Sequence, residues 1–356
     1  MAVSSFNDTT LAAGFGSVNP ATSRVPAQVR EGQNVALTAL FLGSPSVAPA
    51  AVVARWLAGG NRIAAFWTAD GHDNLWGYDR RLARVAPQWS IGRQLEAAEV
   101  PVVRVPRLAG WSDGPRFARE MGADVLISAY FHHVIPSAIL DIFPGRAFNI
   151  HPSLLPRYRG PTPLQGMILD RATDAAGATL HLLDATLDTG AIVAQTPVAF
   201  PVKPPATGYA IALAHAAAGL VDHIPAFLQG RIEARTQDEA AASYVKVVPA
   251  KAFVVSSDLS ADEVAWRCGM MPYFRPPAIR ELPGRDAIGF DRVLGPRTGA
   301  APRARWFSGD FDAADQRVRV RLRWNGWRRM DRWRFFWLLR QSPVVLKAPE
   351  VTARAP

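Results

Sequence analysis

One cysteine, Cys268, is all that 356 residues carry. No disulfide can form within the chain, and the scarcity suits a reducing compartment, the cytoplasm. No motif surrounds that thiol, so it reads as a small buried hydrophobe. The seven histidines are scattered without ligand spacing, and two adjacent rings such as His132 and His133 project in different directions, so no metal is expected. A GxGxxG sequence does not follow the first predicted strand, which withholds support from a nicotinamide cofactor. No internal repeat is visible. The start of the chain has no basic stretch followed by an apolar core, so a secretory signal is not expected. The longest apolar stretch, residues 206–228, contains histidines, an aspartate and a helical period, and reads as a core helix rather than a transmembrane segment.

What is present is enough apolar material for a large core. Hydrophobic residues make up 49% of the chain, and the length exceeds that of a usual single domain. Residues 1–35 are poor in large apolar groups and read as a flexible tail. A first domain is expected over 36–232, a linker over 233–240 and a second domain over 241–356.

The first domain reads as alternating strands and helices. Residues 37–42 form an apolar run ending in Gly43-Ser44-Pro45, a helical stretch covers 48–57, and 61–67 turns extended again. Residues 123–130, bounded by Gly122, read as a further buried strand. This pattern predicts an α/β fold, Rossmann-like, with a mostly parallel sheet and helices on both faces. Ligands then collect at the carboxyl ends of the strands.

Just past one such strand end stands Phe148-Asn149-Ile150-His151-Pro152-Ser153-Leu154-Leu155-Pro156-Arg157-Tyr158-Arg159-Gly160, continued by Pro163-Leu164-Gln165, Gly177-Ala178-Thr179 and Leu187-Asp188-Thr189-Gly190. An isolated Asn is an ordinary loop residue. The full set at this spacing resembles the folate-dependent formyltransferases, a family that includes glycinamide ribonucleotide, methionyl-tRNA and sugar N-formyltransferases. The resemblance runs from about Ala36 to about Ile232. It implies that Asn149, His151 and Asp188 are the catalytic trio. It also implies that Ser153, Leu154, Leu155 and Pro156 lie against the tetrahydrofolate of 10-formyltetrahydrofolate, the co-substrate. Asp184 either faces the pterin or shapes the loop before Asp188. Arg157 and Arg159 either meet an anion of the ligand or pair with neighbouring carboxylates.

The residue types suit that chemistry. A neutral amine attacking a formyl carbon leaves negative charge on oxygen and positive charge on nitrogen. An Asn amide offers donors to the oxyanion. An imidazole, with an ordinary pKa of roughly 6.5, can take part in moving the proton. Asp188 either orients that imidazole or arranges a water that relays the proton.

The acceptor is a separate question. His181, in the alternating run 179–183, falls where the resemblance places a His in sugar and ribonucleotide enzymes, and favours a small amine such as an amino sugar nucleotide. The C-terminal part points elsewhere. Residues 236–356 hold 21 Lys and Arg against 13 Asp and Glu, which is most of the chain's net +10. Arg317, Arg319, Arg321 and Arg323 alternate with apolar residues, Asn325-Gly326 follows, and 327–340 returns with aromatics and five more arginines, Arg340 the last. That pattern predicts a hairpin in an antiparallel, β-rich basic domain, able to meet RNA phosphates and bases. Its alternatives are a solvated strand with aromatics in the core, and an anionic membrane surface, whose interface suits Trp and Arg. The methionyl-tRNA enzyme and a formyltetrahydrofolate hydrolase are therefore kept as alternative functions.

Overall fold

The computed structural model describes residues 36–69, 73–200, 207–249, 252, 254–270, 278–279, 290–297, 308–322 and 325–345. The expected tail, 1–35, lies outside them. So do Arg323 and the side chain of Cys268.

The elements of the first part are β1 (Thr38–Gly43), α1 (Val47–Ala58), β2 (Arg62–Ala69), α2 (Asp73–Val85), α3 (Ile91–Ala97), β3 (Val102–Val105), α4 (Gly114–Glu120) and β4 (Val125–Ala129). They continue with α5 (Ser137–Leu140), β5 (Ala147–His151), α6 (Pro163–Asp170), β6 (Gly177–Leu182), β7 (Ile192–Pro197), α7 (Thr207–Leu220) and α8 (His223–Leu228). Seven strands form one sheet in the order β3-β2-β1-β4-β5-β6-β7. Pairings up to β4–β5 are parallel, and β5–β6 and β6–β7 are antiparallel. The expected Rossmann-like sheet is therefore observed. Strand order reverses between β1 and β4, which places a crevice at their carboxyl ends.

Strand periodicity sorts the core into two layers. On β1, Ala39 and Phe41 join a cluster with Val52, Trp56, Ile127 and Leu213, while Leu40 and Leu42 join Trp67, Leu126, Ile139 and Phe143 on the opposite face. Helix α7 is apolar nearly all round because it is covered on two sides. Leu213, Ala217 and Leu220 meet the sheet-side core, and Ile211, Ala214 and Ala218 meet a third cluster. The segment Gly208–Leu228 has the length and composition to cross a membrane; in this fold its apolar faces are used for packing.

Beyond these lie β8 (Val254–Val255), α9 (Ala261–Met270), β9 (Ala278–Ile279), β10 (Phe290–Pro296), β11 (Ser308–Asp312), β12 (Arg317–Leu322) and α10 (Asn325–Gln341). Strands β10, β12 and β11 make a separate antiparallel sheet with β12 in the middle. The antiparallel C-terminal sheet agrees with expectation, but the hairpin over 317–340 does not. Asn325 opens a helix of 17 residues. Asn and Gly are favoured at helix starts as well as in turns, and the Arg, Leu and Met that follow are good helix formers. Tertiary packing decides the outcome: Phe335, Phe336 and Leu339 share one helical face and are buried with Leu82, Trp89 and Ile211. The end of α10 is tied down as well, since Trp89 Nε1 donates to the Ser342 carbonyl at 3.0 Å.

The basic face of β12 is also less free than its sequence suggests. Asp312 and Asp310 of β11 stand directly across from Arg317 and Arg319, and Arg317 is bonded to Asp312. Such cross-strand pairs offset part of the charge.

Leu339 is fully buried and Trp337 is 57% exposed. Leu339→Ala is expected to cost about 3 kcal/mol, and Trp337→Ala no more than about 0.5 kcal/mol, read by denaturant unfolding of the full chain. Equal costs would contradict the helical docking.

Candidate active site

An Asn-x-His sequence on a strand puts both side chains on one face. On β5, Phe148 and Ile150 enter the sheet-side core, so Asn149 and His151 point the other way. Strand β6 runs antiparallel beside it, with Asn149 opposite His181 and His151 opposite Thr179. Four polar side chains therefore line one face at the β5–β6 seam.

Asp188 closes the group from the β6–β7 connection. Its Oδ1 lies 3.4 Å from Asn149 Nδ2, 3.5 Å from His151 Nδ1 and 3.7 Å from His181 Nε2. Its Oδ2 accepts the Gly160 N–H at 2.8 Å. His151 and Asp188 are 4% and 6% exposed; Asn149 is the half-buried member. The structure thus brings together all three residues of the expected trio, and adds His181.

Hydrogen-bond partners fix the orientations. His181 Nδ1 lies 2.8 Å from the Leu182 carbonyl, an acceptor only, so that nitrogen carries the hydrogen. Burial pushes the imidazole down to about 4, with His151 adding to the depression and Asp188 opposing it. The ring is therefore neutral near pH 7, and its Nε2 lone pair meets Asn149 Nδ2 at 3.1 Å. Both neighbours of the Asn149 nitrogen are acceptors, which assigns the amide's NH2 to this side. His151 Nε2 faces the Tyr158 carbonyl at 2.8 Å and so donates to it. Its Nδ1 can donate to Asp188 only when the ring holds a second proton. A proton gained at Nδ1 would sit between the imidazole and the carboxylate.

The loop after β5 is a fixed support. Thr179 Oγ1 donates to the Ser153 carbonyl at 2.6 Å and accepts from the Leu155 N–H at 3.1 Å. Gln195 Nε2 reaches the Leu155 carbonyl at 2.8 Å. Ser153 and Leu155 are buried within the protein, whereas Leu154 and Pro156 are only half-buried. Gly160 is required where it stands. Its φ is +111°, and a Cβ there would come 2.3 Å from the Val245 carbonyl oxygen.

The remaining candidates have structural partners. The Asp184 carboxylate is exposed and gathers the Thr186 N–H and the Thr186 and Thr189 hydroxyls, shaping the turn that delivers Asp188. Arg157 pairs with Asp174, and Arg159 with Gln237 and Glu239. Gln237 was not a sequence candidate. It contacts backbone carbonyls of the Asp188 loop, and no side-chain pattern could have revealed it.

Comparison with known proteins fits this geometry. The formyl transferase family model matches residues 105–214, a segment that contains Asn149, His151 and Asp188. The site lies within the segment that matches this family model. The chain is 37% identical over 213 residues to a methionyl-tRNA formyltransferase of Chloroflexus aurantiacus, covering 59% of this chain and 65% of that protein. The chain thus spans 65% of the length of this curated relative. It also resembles the crystal structure of WlaRD, a sugar 3N-formyl transferase in the presence of dTDP and 5-N-formyl-THF (TM-score 0.58, 15% identity, 82% of this chain and 99% of that one). An N-formyltransferase from Helicobacter canadensis, in complex with folinic acid and dTDP-3-aminofucose, gives a TM-score of 0.59 at 13% identity, over 82% and 100%. At such identities the structural likeness speaks for the fold. The resemblance read from the sequence motif agrees with all three.

The His181 depression makes stability pH-dependent. The unfolded imidazole titrates near roughly 6.5, so between that value and about 4 the unfolded chain binds more protons than the folded one. The contribution is complete above the upper value and is lost as pH falls, by at most about 3 kcal/mol. Urea unfolding from pH 7 to pH 4 should show a shallower decline for His181→Gln than for the parent; parallel declines would contradict the buried neutral ring.

Proposed function

We propose that this protein transfers the formyl group of 10-formyltetrahydrofolate to a primary amine. The observation that carries the reading is the convergence of Asn149, His151 and Asp188 around one carboxylate oxygen. The amine adds to the formyl carbon to give a tetrahedral oxyanion; its collapse breaks the bond from that carbon to the folate nitrogen, and one amine proton ends on that nitrogen. Asn149, the half-buried member, keeps one N–H on His181 and turns the other, which makes only a 3.4 Å contact with Asp188, to the developing oxyanion. The pair of His151 Nδ1 and Asp188 holds the proton in transit. Leu154 and Pro156 of the pinned loop offer apolar surface to a pterin.

The acceptor we favour is a small amine, such as an amino sugar on a nucleotide. Its support is His181, which touches Asn149, together with the sugar 3N-formyl transferase description of WlaRD and the dTDP-3-aminofucose bound in the Helicobacter canadensis structure. The second reading is methionyl-tRNA, supported by the 37% identity to the Chloroflexus aurantiacus enzyme and the basic C-terminal region. Water in place of the amine would make a hydrolase.

Turnover of 10-formyltetrahydrofolate should be followed with amino sugar nucleotides, with methionyl-tRNA and with no acceptor. Turnover on the sugars supports the first reading, on tRNA alone the second, and formate release without acceptor the hydrolase. Asn149→Ala and His151→Ala are each expected to lower turnover about 10²- to 10⁴-fold while donor binding, read by fluorescence titration, survives. Unchanged turnover in either variant would remove that residue from the mechanism.

A further inference from the structure

Asp188 works only if its carboxylate stays where three side chains and one N–H can reach it, yet its backbone is in the left-handed region, φ +59°. A non-glycine residue held there needs external support. Asp184 shapes the turn on one side. The other support comes from residues 235–243, past the matched family region.

Gln237 is 5% exposed. Its Nε2 donates to the Asp188 carbonyl at 2.9 Å and the Gly190 carbonyl at 2.8 Å, clamping the turn on both sides of Thr189. Its Oε1 accepts from Arg159 Nε at 3.1 Å and Nη2 at 2.9 Å. Arg159 is in turn bonded to both carboxylate oxygens of Glu239. The same segment is laced to the motif loop: Arg235 exchanges backbone bonds with Ile192, and Ser243 with Pro156 and Arg159. Arg159 is the residue immediately before Gly160, whose N–H holds Asp188 Oδ2. Gln237 therefore joins the two loops that grip the carboxylate, one through its donor and the other through its acceptor.

We propose that Gln237 is a positioning residue that fixes the Asp188 turn against the Gly160 loop. The proposal rests on the formyl-transfer reading for its catalytic consequence, but its geometric content stands apart. Asparagine would be too short to span both sides, and an amide is the side chain that donates twice and accepts twice.

The test uses Gln237→Glu in the full chain. Glutamate keeps the acceptor for Arg159, loses both donors and sets a carboxylate oxygen against the Asp188 and Gly190 carbonyls, which releases the clamp on Asp188; a cooperative unfolding transition verifies that the variant is folded. Two readouts are taken. In a crystal structure of the variant, Asp188 should leave its left-handed conformation or its carboxylate should withdraw from Gly160 N by about 1 Å, a displacement large enough to matter for catalysis. In kinetics, kcat should fall about 10- to 100-fold with KM for the donor little changed, and Gln237→Ala should fall at least as far. A variant with the parent's Asp188 geometry and kcat overturns the proposal. A parent that fails to transfer formyl at all overturns the proposed function instead, and the crystallographic readout still decides the role of Gln237.

Discussion

A single carboxylate organises this site. Asp188 is buried, lies in the left-handed backbone region, and is approached by Asn149, His151, His181 and the Gly160 N–H. A buried carboxylate is stable only while its donors, here Asn149 Nδ2 and the Gly160 N–H, remain in place. The fold supplies each by a different route: the parallel-to-antiparallel switch at β5 sets two side chains against one from β6, and the β6–β7 turn brings the acid over them. The loop rich in proline after β5 closes the last side.

The division of labour within the cluster follows from desolvation. His181 is buried deeply enough to stay neutral, so it acts as a fixed acceptor that orients the Asn149 amide. His151 has its Nε2 committed to the Tyr158 carbonyl and its Nδ1 facing Asp188. The two imidazoles thus have different surroundings: His181 Nε2 meets the Asn149 nitrogen at 3.1 Å and Asp188 at 3.7 Å, whereas His151 Nδ1 faces Asp188 at 3.5 Å. Asn149 alone of the four is appreciably open, which makes it the natural point of contact with a reacting group.

Much of this was legible in the sequence. The apolar runs of the first domain give the sheet because period-two burial leaves few alternatives, and Asn149, His151 and Asp188 stand in a motif whose spacing is kept by the β5 pleat and the following turn. The C-terminal pattern was misleading. Alternating arginines do form β12, but Asn325-Gly326 starts a helix, because the face made by Phe335, Phe336 and Leu339 finds an apolar surface on the first part of the chain. Local turn signals cannot report a distant docking surface. Gln237 was invisible for a related reason: its partners are backbone carbonyls 49 and 47 residues away, and a backbone acceptor leaves no mark on residue type.

The most direct measurement is a crystal structure of the full chain with 5-formyltetrahydrofolate, a donor analogue that does not transfer. The account predicts the pterin on the loop of Leu154 and Pro156, with its formyl-bearing edge within hydrogen-bond reach of Asn149 Nδ2. A pterin bound elsewhere, or one separated from Asn149 by protein, would contradict it.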